Sequence, residues 1–422
     1  MKRRLLFAER MLHGDGSAPF NAVIPICLRG DVHLAGLQHA LKKLQEKYPL
    51  LNAFVEDDGK GMPWFVVEEG PPQRDIPVRI STRLGEDDWI QESVQEWSTV
   101  FDTRKGPLMR LVWIKGSEFS DLILVIHHCL CDGGSAMSIL AELLQLLDNG
   151  EAQIGKEKPI LGLNDIVPAE VLRNKKKILK AKLIGRVASL VLWLVPLPKK
   201  AVERKRDYML NWSLDKALGE QLIRSCKQHG VTVNTALCMA VLNAFKAIRK
   251  GAFNNKISCP VDIRRFAPEI KKDNIFAFGL MMVVSAAQEP GFFDNARKMQ
   301  ADIDKKTAKL DPYETIMMME ESHSSLKHFT KFLKYGKSSN DCMFSNLGRI
   351  NIPHEYQAFS LERIYSPSVI GPLGNTTTLI TSTYRERMDF TLVASEGFIP
   401  YEQALAIRDS IITELKLAIG QA

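Results

Sequence analysis

The 422-residue sequence has seven cysteines, an odd number, and no CxxC pair. Cys27, Cys129, Cys131, Cys226, Cys238, Cys259 and Cys342 therefore argue against a disulfide framework or a zinc site and for a reducing, cytoplasmic setting. The longest notable apolar stretch, Val187 to Val195, is far short of the about 20 residues a bilayer span needs. At the N-terminus, Lys2, Arg3 and Arg4 are followed by Glu9 and Arg10 before an apolar core of signal-peptide length develops, so export is not expected. Internal repeats and low-complexity segments are absent as well. The net charge of +7 is local rather than general. Residues 173–206 hold twelve Lys or Arg against the single acid Glu203, a net +11, so the rest of the chain is net −4. A pI near 8.9 thus gives no reason to expect nucleic acid as a partner.

What is present is sharper. His127-His128-Cys129-Leu130-Cys131-Asp132-Gly133 lies between an apolar run, Leu122 to Ile126, and a helical pattern from Ser135 to Leu147. This sets an imidazole, largely neutral and proton-accepting near pH 7, at the end of a strand. Asp132 can fold back across the turn, and Gly133 and Gly134 permit close approach. Their N–H groups open the following helix, where partial positive charge can face an oxyanion. The plainer reading is two histidines ending a strand, with Asp132 as a helix cap.

At these residues the chain resembles the HHxxxDG acyltransferase superfamily, which includes condensation domains, chloramphenicol acetyltransferase and the polyketide-associated and alcohol O-acyltransferases. The resemblance implies that His128 is the general base, with His127 and Gly133 completing the motif and Asp132 pairing with a distant arginine. Pro260-Val261-Asp262-Ile263-Arg264 matches the element carrying that arginine, which makes Arg264 the expected partner, with Arg265 beside it. Ser345-Asn346-Leu347-Gly348 resembles the SNLG element of standalone O-acyltransferases. Ser345, Asn346 and Gly348 are thereby expected to line the substrate tunnel, Asn346 touching the acyl carbonyl or the acceptor. Phe101-Asp102 and Gly106-Pro107-Leu108 extend the resemblance, which covers nearly the whole chain; the plant DFGWG motif is missing. Cys129 and Cys131 occupy variable spacer positions and read as small buried side chains rather than thiol nucleophiles.

The periodicities agree with an α+β fold. Asn21 to Leu28 reads as a strand; Leu34, Leu37, Leu41, Leu44 and Tyr48 form a helical stripe that Pro49 stops. Asn52 to Val55 and Trp64 to Val67 read as paired strands, with Pro71-Pro72 in a loop. A helix from Trp89 to Val100 and a strand from Leu108 to Ile114 come next, and Trp64, Trp89, Trp97 and Trp113 read as packing residues. Further on, Tyr208 to Leu214, Ile257 to Ile263, Phe278 to Ala286 and Cys342 to Gly348 read as strands. Thr376 to Tyr384 and Met388 to Ala394 pair around Arg385-Glu386, and helices cover Asp215 to His229, Thr232 to Ile248, Asp294 to Leu310 and Tyr401 to Leu417. Met317 to Met319 reads as core. The resemblance implies two chloramphenicol-acetyltransferase-like domains, each a mixed sheet with helices, forming a V-shaped pseudo-dimer around a central tunnel. The expected division is 1–165 with HHxxxDG, a basic and apolar insert at 166–206, and 207–422 with SNLG.

Together these imply a standalone acyltransferase, since no nucleotide-binding loop or carrier-type serine motif appears. No permanently bound cofactor or metal is expected. The co-substrate would be an acyl-CoA or acyl carrier protein thioester, and the acceptor the hydroxyl of a hydrophobic alcohol or phenol. An amide-forming enzyme with an amine acceptor and a non-catalytic docking homologue remain open. The insert, with Val187 to Val195 between Lys175, Lys176, Lys177, Lys180, Lys182, Arg186 and the prolines Pro196 and Pro198, fits either peripheral contact with the inner membrane face or a helix packed between the domains. A monomer is expected.

Overall fold

In the computed structural model the structure describes residues 1–70, 74–194, 203, 205–287, 289–335, 339–371 and 377–420; Pro71, Pro72, Val195, Pro196 and Pro198 lie outside the described residues. Two six-stranded mixed sheets dominate. In the first, Phe359–Ile364, Asn21–Gly30, Phe119–His127, Met109–Lys115 and Val78–Thr82 lie side by side, and Ser368–Ile370 also pairs with Asn21–Gly30. Only Val78–Thr82 runs parallel to its neighbour. In the second the order is Leu280–Val284, Ile257–Val261, Cys342–Arg349, Thr378–Tyr384, Arg387–Ser395 and Asp207–Leu214, parallel at Cys342–Arg349 against both neighbours. A small sheet joins Lys2–Arg4, Pro63–Val66 and Phe54–Asp57. The α+β reading holds, and the C-terminal part of the chain supplies strands to both large sheets.

The central strands are apolar throughout because both of their faces are covered. In Phe119–His127, residues Leu122 to Ile126 are all buried, and the helices Leu34–Lys47 and Gly133–Asp148 turn Leu37, Leu41, Leu44, Ile139, Leu140 and Leu143 inward. Trp89, Trp97 and Trp113 belong to this first core. A second core fills the other sheet beneath Val233–Ile248 and Tyr401–Ala418. A third cluster draws Leu6, Ile166, Ile263, Phe276, Ile316 and Met317 from across the chain into one contact. Its Phe276 ring lies 4.8 Å from the Arg264 guanidinium.

Several elements differ from the sequence reading. The strand before Arg264 ends at Val261, because Asp262 accepts the Arg264 N–H at 2.9 Å and caps a 3-10 turn, Ile263–Arg265. Within the insert the described residues form two α-helices, the short Ala169–Arg173 and the long Lys175–Leu194. Among the described residues, four strands (Lys2–Arg4, Val78–Thr82, Phe359–Ile364 and Ser368–Ile370) and, outside the insert, three α-helices (Phe7–His13, Pro312–Glu321 and Leu326–Tyr335) have no counterpart in that reading.

Candidate active site

Phe119–His127 delivers the two histidines to the edge of the first core, and they part company there. His127 is 1% exposed, its ring packed against Phe101 and His13 at centroid distances of 6.0 and 6.1 Å. Its Nδ1 accepts the Cys129 N–H at 3.3 Å, which puts the proton on Nε2, a buried atom with no partner among the described residues. Burial, and then the neighbouring His13 and His128, hold its pKa down at about 3, so it stays neutral and structural.

His128 is half-buried and set up differently. Its backbone N–H donates to the Phe20 carbonyl at 2.7 Å, and the Phe20 ring meets the imidazole edge-on at 5.5 Å. The Nδ1 atom faces the Cys131 carbonyl at 3.0 Å. A carbonyl can only accept, so Nδ1 carries the hydrogen and Nε2 is left bare with its lone pair. Burial lowers the pKa of this ring below its usual value, and the Cys131 carbonyl works in the other direction. The result is a neutral imidazole of fixed tautomer, which is the protonation state a general base needs.

Asp132 both caps the helix Gly133–Asp148 and binds Arg264. Its Oδ1 accepts the Ser135 N–H at 2.9 Å, and its Oδ2 accepts from Arg264 Nη1 at 2.6 Å. The sequence alternatives of helix cap and ion pair are thus both realised. The Arg264 and Asp132 side chains are 8% and 16% exposed. Arg264 Nη2 donates to Ser135 Oγ at 2.8 Å and to the Asn274 carbonyl at 3.1 Å, while Phe276 lies under the guanidinium at 4.8 Å. Burial opposes the charge on Arg264, and the Asp132 carboxylate outweighs it, raising the pKa. Arg265 makes no such pair among the described residues.

The SNLG element meets the histidine loop directly. A Cβ added at Gly133 would lie 2.8 Å from Leu347 Cδ2, and one at Gly134 would lie 3.2 Å from Arg264 Nη1, so neither position has room for a larger residue as packed. Asn346 Oδ1 accepts the Gly348 N–H at 2.8 Å, and its Nδ2 donates to Asn234 Oδ1 at 3.2 Å. Gly348 takes φ +70°, the left-handed conformation that suits glycine, and turns the strand there. Ser345 lies in register with Ile380 on the neighbouring strand.

Cys129 and Cys131 are buried, and burial pushes both thiols well up, away from any nucleophilic role. Phe20, Ser135, Asn274 and the Cys131 carbonyl were not singled out from the sequence. Three of these act through backbone carbonyls, for which residue type carries no signal. Ser135 alone was legible, three residues after a capping aspartate.

Two lobes, a His-His-x-x-x-Asp-Gly loop and an arginine clasp define a condensation-type protein, and the comparisons agree. Residues 1–252 match the family model "Condensation domain", and the chain belongs to that family. It is 25% identical over 354 residues to a linear gramicidin synthase from Brevibacillus parabrevis, covering 78% of this chain and 7% of that one. It therefore spans a small fraction of that relative's length. Among solved structures it resembles the TRI3 trichothecene 15-O-acetyltransferase of Fusarium sporotrichioides, with TM-score 0.72 and 12% identity over 99% of this chain and 95% of that one. It also resembles the first condensation domain of the calcium-dependent antibiotic synthetase, with TM-score 0.71 and 15% identity over 100% and 97% of the respective chains. The shared fold is that of the condensation domain and its acyltransferase neighbours.

Proposed function

We propose that this protein moves an acyl group from a CoA or carrier-protein thioester to the hydroxyl of a hydrophobic alcohol or phenol, with His128 as general base. The observation that carries this reading is the His128 Nδ1–Cys131 carbonyl contact at 3.0 Å, which leaves Nε2 free to accept a proton. In the reaction, Nε2 takes the hydroxyl proton as the acceptor oxygen bonds to the thioester carbonyl carbon. The carbonyl oxygen becomes an oxyanion near the first N–H groups of the helix Gly133–Asp148, which have no intrahelical partner. The C–S bond then breaks, and the departing thiolate takes the proton back from Nε2. The Arg264–Asp132 clasp holds the loop that carries the base.

An amine acceptor, giving an amide, is the second reading, favoured by the family match and by the gramicidin synthase relative. A purely docking role fits poorly with a fixed tautomer and an intact clasp. The test is thiol release from a panel of acyl donors with alcohol and amine acceptors. Positioned base catalysis is worth about 10²–10⁴-fold, so His128→Ala should lose at least that much while staying folded. Undiminished turnover in that variant would overturn the assignment.

A separate observation supports peripheral contact with an anionic lipid surface through the helix Lys175–Leu194. Leu179, Leu183, Val187, Leu190 and Leu194 are all exposed, at spacings of four, four, three and four, which is one face of a helix. Trp193 is 69% exposed near its C-terminal end. The opposite face packs on Pro312–Glu321, with Lys177 bonded to Asp311 at 2.7 Å and Lys180 to Glu314 at 2.6 Å. Lys175, Lys176, Lys182 and Arg186 make no ion pair among the described residues. A second copy of the chain would oppose like charges across this face, whereas anionic headgroups would match it, adding about 1 kcal/mol per basic residue. Among the described residues no single helix is long and apolar enough to cross a membrane. The wild type should float with phosphatidylglycerol vesicles and a Trp193→Glu variant should not; equal flotation, or none, would sink the idea.

A further inference from the structure

The strands at one edge of the second sheet have two unlike faces. One face carries Ile257, Cys259, Val284, Cys342 and Phe344 into the second core. Period-two alternation puts Pro260, Met281, Val283, Met343, Ser345 and Leu347 on the other. Across the sheet this second face is covered, since the cross-strand partners Met209 and Val393 belong to the first core. At the edge it is bare: Met281 is 48%, Val283 39% and Met343 41% exposed.

These three side chains are neighbours rather than scattered exposures. Ser258 lies in register with Val283 on one side and with Met343 on the other, and Pro260 lies in register with Met281. Adjacent strands are about 4.8 Å apart, so the bare apolar patch is roughly 10 Å wide. It continues to the histidine loop along a single strand. Leu347 Cδ2 is the atom that a Cβ at Gly133 would meet, and Met343 lies four residues back on the same face, about 13 Å away at the usual strand rise. Ser345 stands between them as a small side chain. The two methionines, with three rotatable bonds and a polarizable sulfur each, can mould themselves to a flexible apolar ligand.

We propose that this face holds the straight hydrocarbon chain of the acyl donor, and that Met343, with Met281 and Val283 beside it, sets the chain length the protein prefers. The inference rests on the acyl-transfer reading above and adds to it the class of acyl group. In that reading the carbonyl oxygen turns toward the first N–H groups of the helix Gly133–Asp148, which puts the first methylenes of the chain against Leu347. With bonds of about 1.5 Å at a near-tetrahedral angle an extended chain advances about 1.25 Å per carbon, so the distance from Leu347 to Met343 spans roughly ten carbons. An acetyl group would reach none of the patch, whereas a medium-length fatty acyl group would cover it. Each methylene laid on the face is worth roughly twofold to fourfold in kcat/KM, the larger figure corresponding to full burial.

The test measures kcat/KM for acyl-pantetheine thioesters from acetyl to palmitoyl with one fixed alcohol acceptor, read by thiol release. The value should climb with length and peak near decanoyl, about a hundredfold or more above acetyl. Met343→Glu places a solvated carboxylate where the chain would lie and should cut the decanoyl-to-acetyl ratio by about tenfold or more. Met343→Trp should move the peak to shorter chains. Both variants replace an exposed side chain, so both should melt close to the wild type. A flat length profile in the wild type, or a loss in Met343→Glu that is equal for all donors, would overturn the proposal. So would a length preference that appears only when alcohols of increasing length are paired with the acetyl donor, because the face would then belong to the acceptor. His128-dependent transfer that ignores donor length sinks the acyl-chain face alone. If no donor is turned over, calorimetric binding of decanoyl-pantetheine and acetyl-pantetheine still decides. Tighter binding of the decanoyl thioester, abolished by Met343→Glu, keeps the face and sinks the enzymatic reading alone, and equal binding sinks both.

Discussion

Arg264 and Asp132, 132 residues apart in the chain, meet at 2.6 Å and tie the histidine loop of the first half to the second half. The same guanidinium also donates to Ser135 Oγ and to the Lys271 and Asn274 carbonyls, so one side chain sets the position of the loop and the start of its helix. In the proposed reaction its role is to position His128 rather than to touch the substrate.

Removing Arg264 leaves the Asp132 carboxylate largely buried without its partner, and removing Asp132 leaves Arg264 with only the longer contact to Asp262 at 3.4 Å. Arg264→Ala or Asp132→Ala should therefore cost about 3–5 kcal/mol in stability, measured by urea or thermal denaturation. Arg264→Lys keeps the charge but cannot reproduce the fork to Asp132, Ser135 and Asn274. It should recover only part of the stability and leave a lower kcat than wild type. Full recovery of both by lysine would show that charge alone matters here.

Gly133 and Leu347 offer a second test. A methyl group at 133 would lie 2.8 Å from Leu347 Cδ2, the flexible end of a side chain, so Gly133→Ala should cost about 1–3 kcal/mol at most and displace the SNLG wall. Activity should fall, and Leu347→Ala in the same protein should restore part of it. A double-mutant cycle in kcat/KM reads the coupling, expected at about 0.5–3 kcal/mol. Strict additivity would place the two residues in separate environments.

How far the sequence reached follows from the kind of signal each part leaves. The histidine loop, Asp132, Arg264 and the SNLG strand were legible because side-chain identity itself does the work at those positions. Arg264 rather than Arg265 came from the resemblance, and the 3-10 turn capped by Asp262, which no local pattern announces, is where Arg264 sits as it reaches Asp132. Phe359–Ile364 escaped because its partner strand, Asn21–Gly30, lies more than 300 residues away and no local pattern announces such a pairing. Val78–Thr82 is a half-exposed edge strand and lacks an apolar run. The tautomer of His128 depends on a main-chain carbonyl, and the exposed stripe on Lys175–Leu194 depends on which face meets Pro312–Glu321. Composition can suggest such a stripe but cannot orient it.

The state of His128 predicts the acid limb of the activity profile. The neutral ring is the active form, and burial lowers its pKa below the usual 6.5. As pH falls, kcat/KM should therefore drop with a midpoint below pH 6.5. A midpoint above 6.5, measured at fixed ionic strength, would mean the ring gains a stabilised positive charge and would contradict the geometry around Nε2.

Glu157 predicts how stability itself changes with pH. It is nearly fully buried between the halves; its Oε1 accepts the Ile275 N–H at 2.6 Å, and Oε2 has no partner among the described residues. Burial, the largest influence, raises its carboxyl from 4.5 to about 7. The folded state thus binds a proton that the unfolded state has already released, and stability falls as pH rises between those two values. A shift of this size is worth about 3 kcal/mol, lost by pH 7 and present below pH 4.5. Ile275 follows Asn274, whose carbonyl accepts from Arg264, so the same proton should also firm up the clasp. Glu157→Gln keeps the shape and the acceptor without the ionisation. It should be more stable than wild type at pH 8 by roughly that amount, and should show a flatter dependence of unfolding free energy on pH from 5 to 7. Parallel pH profiles for the two proteins would remove Glu157 as the titrating group.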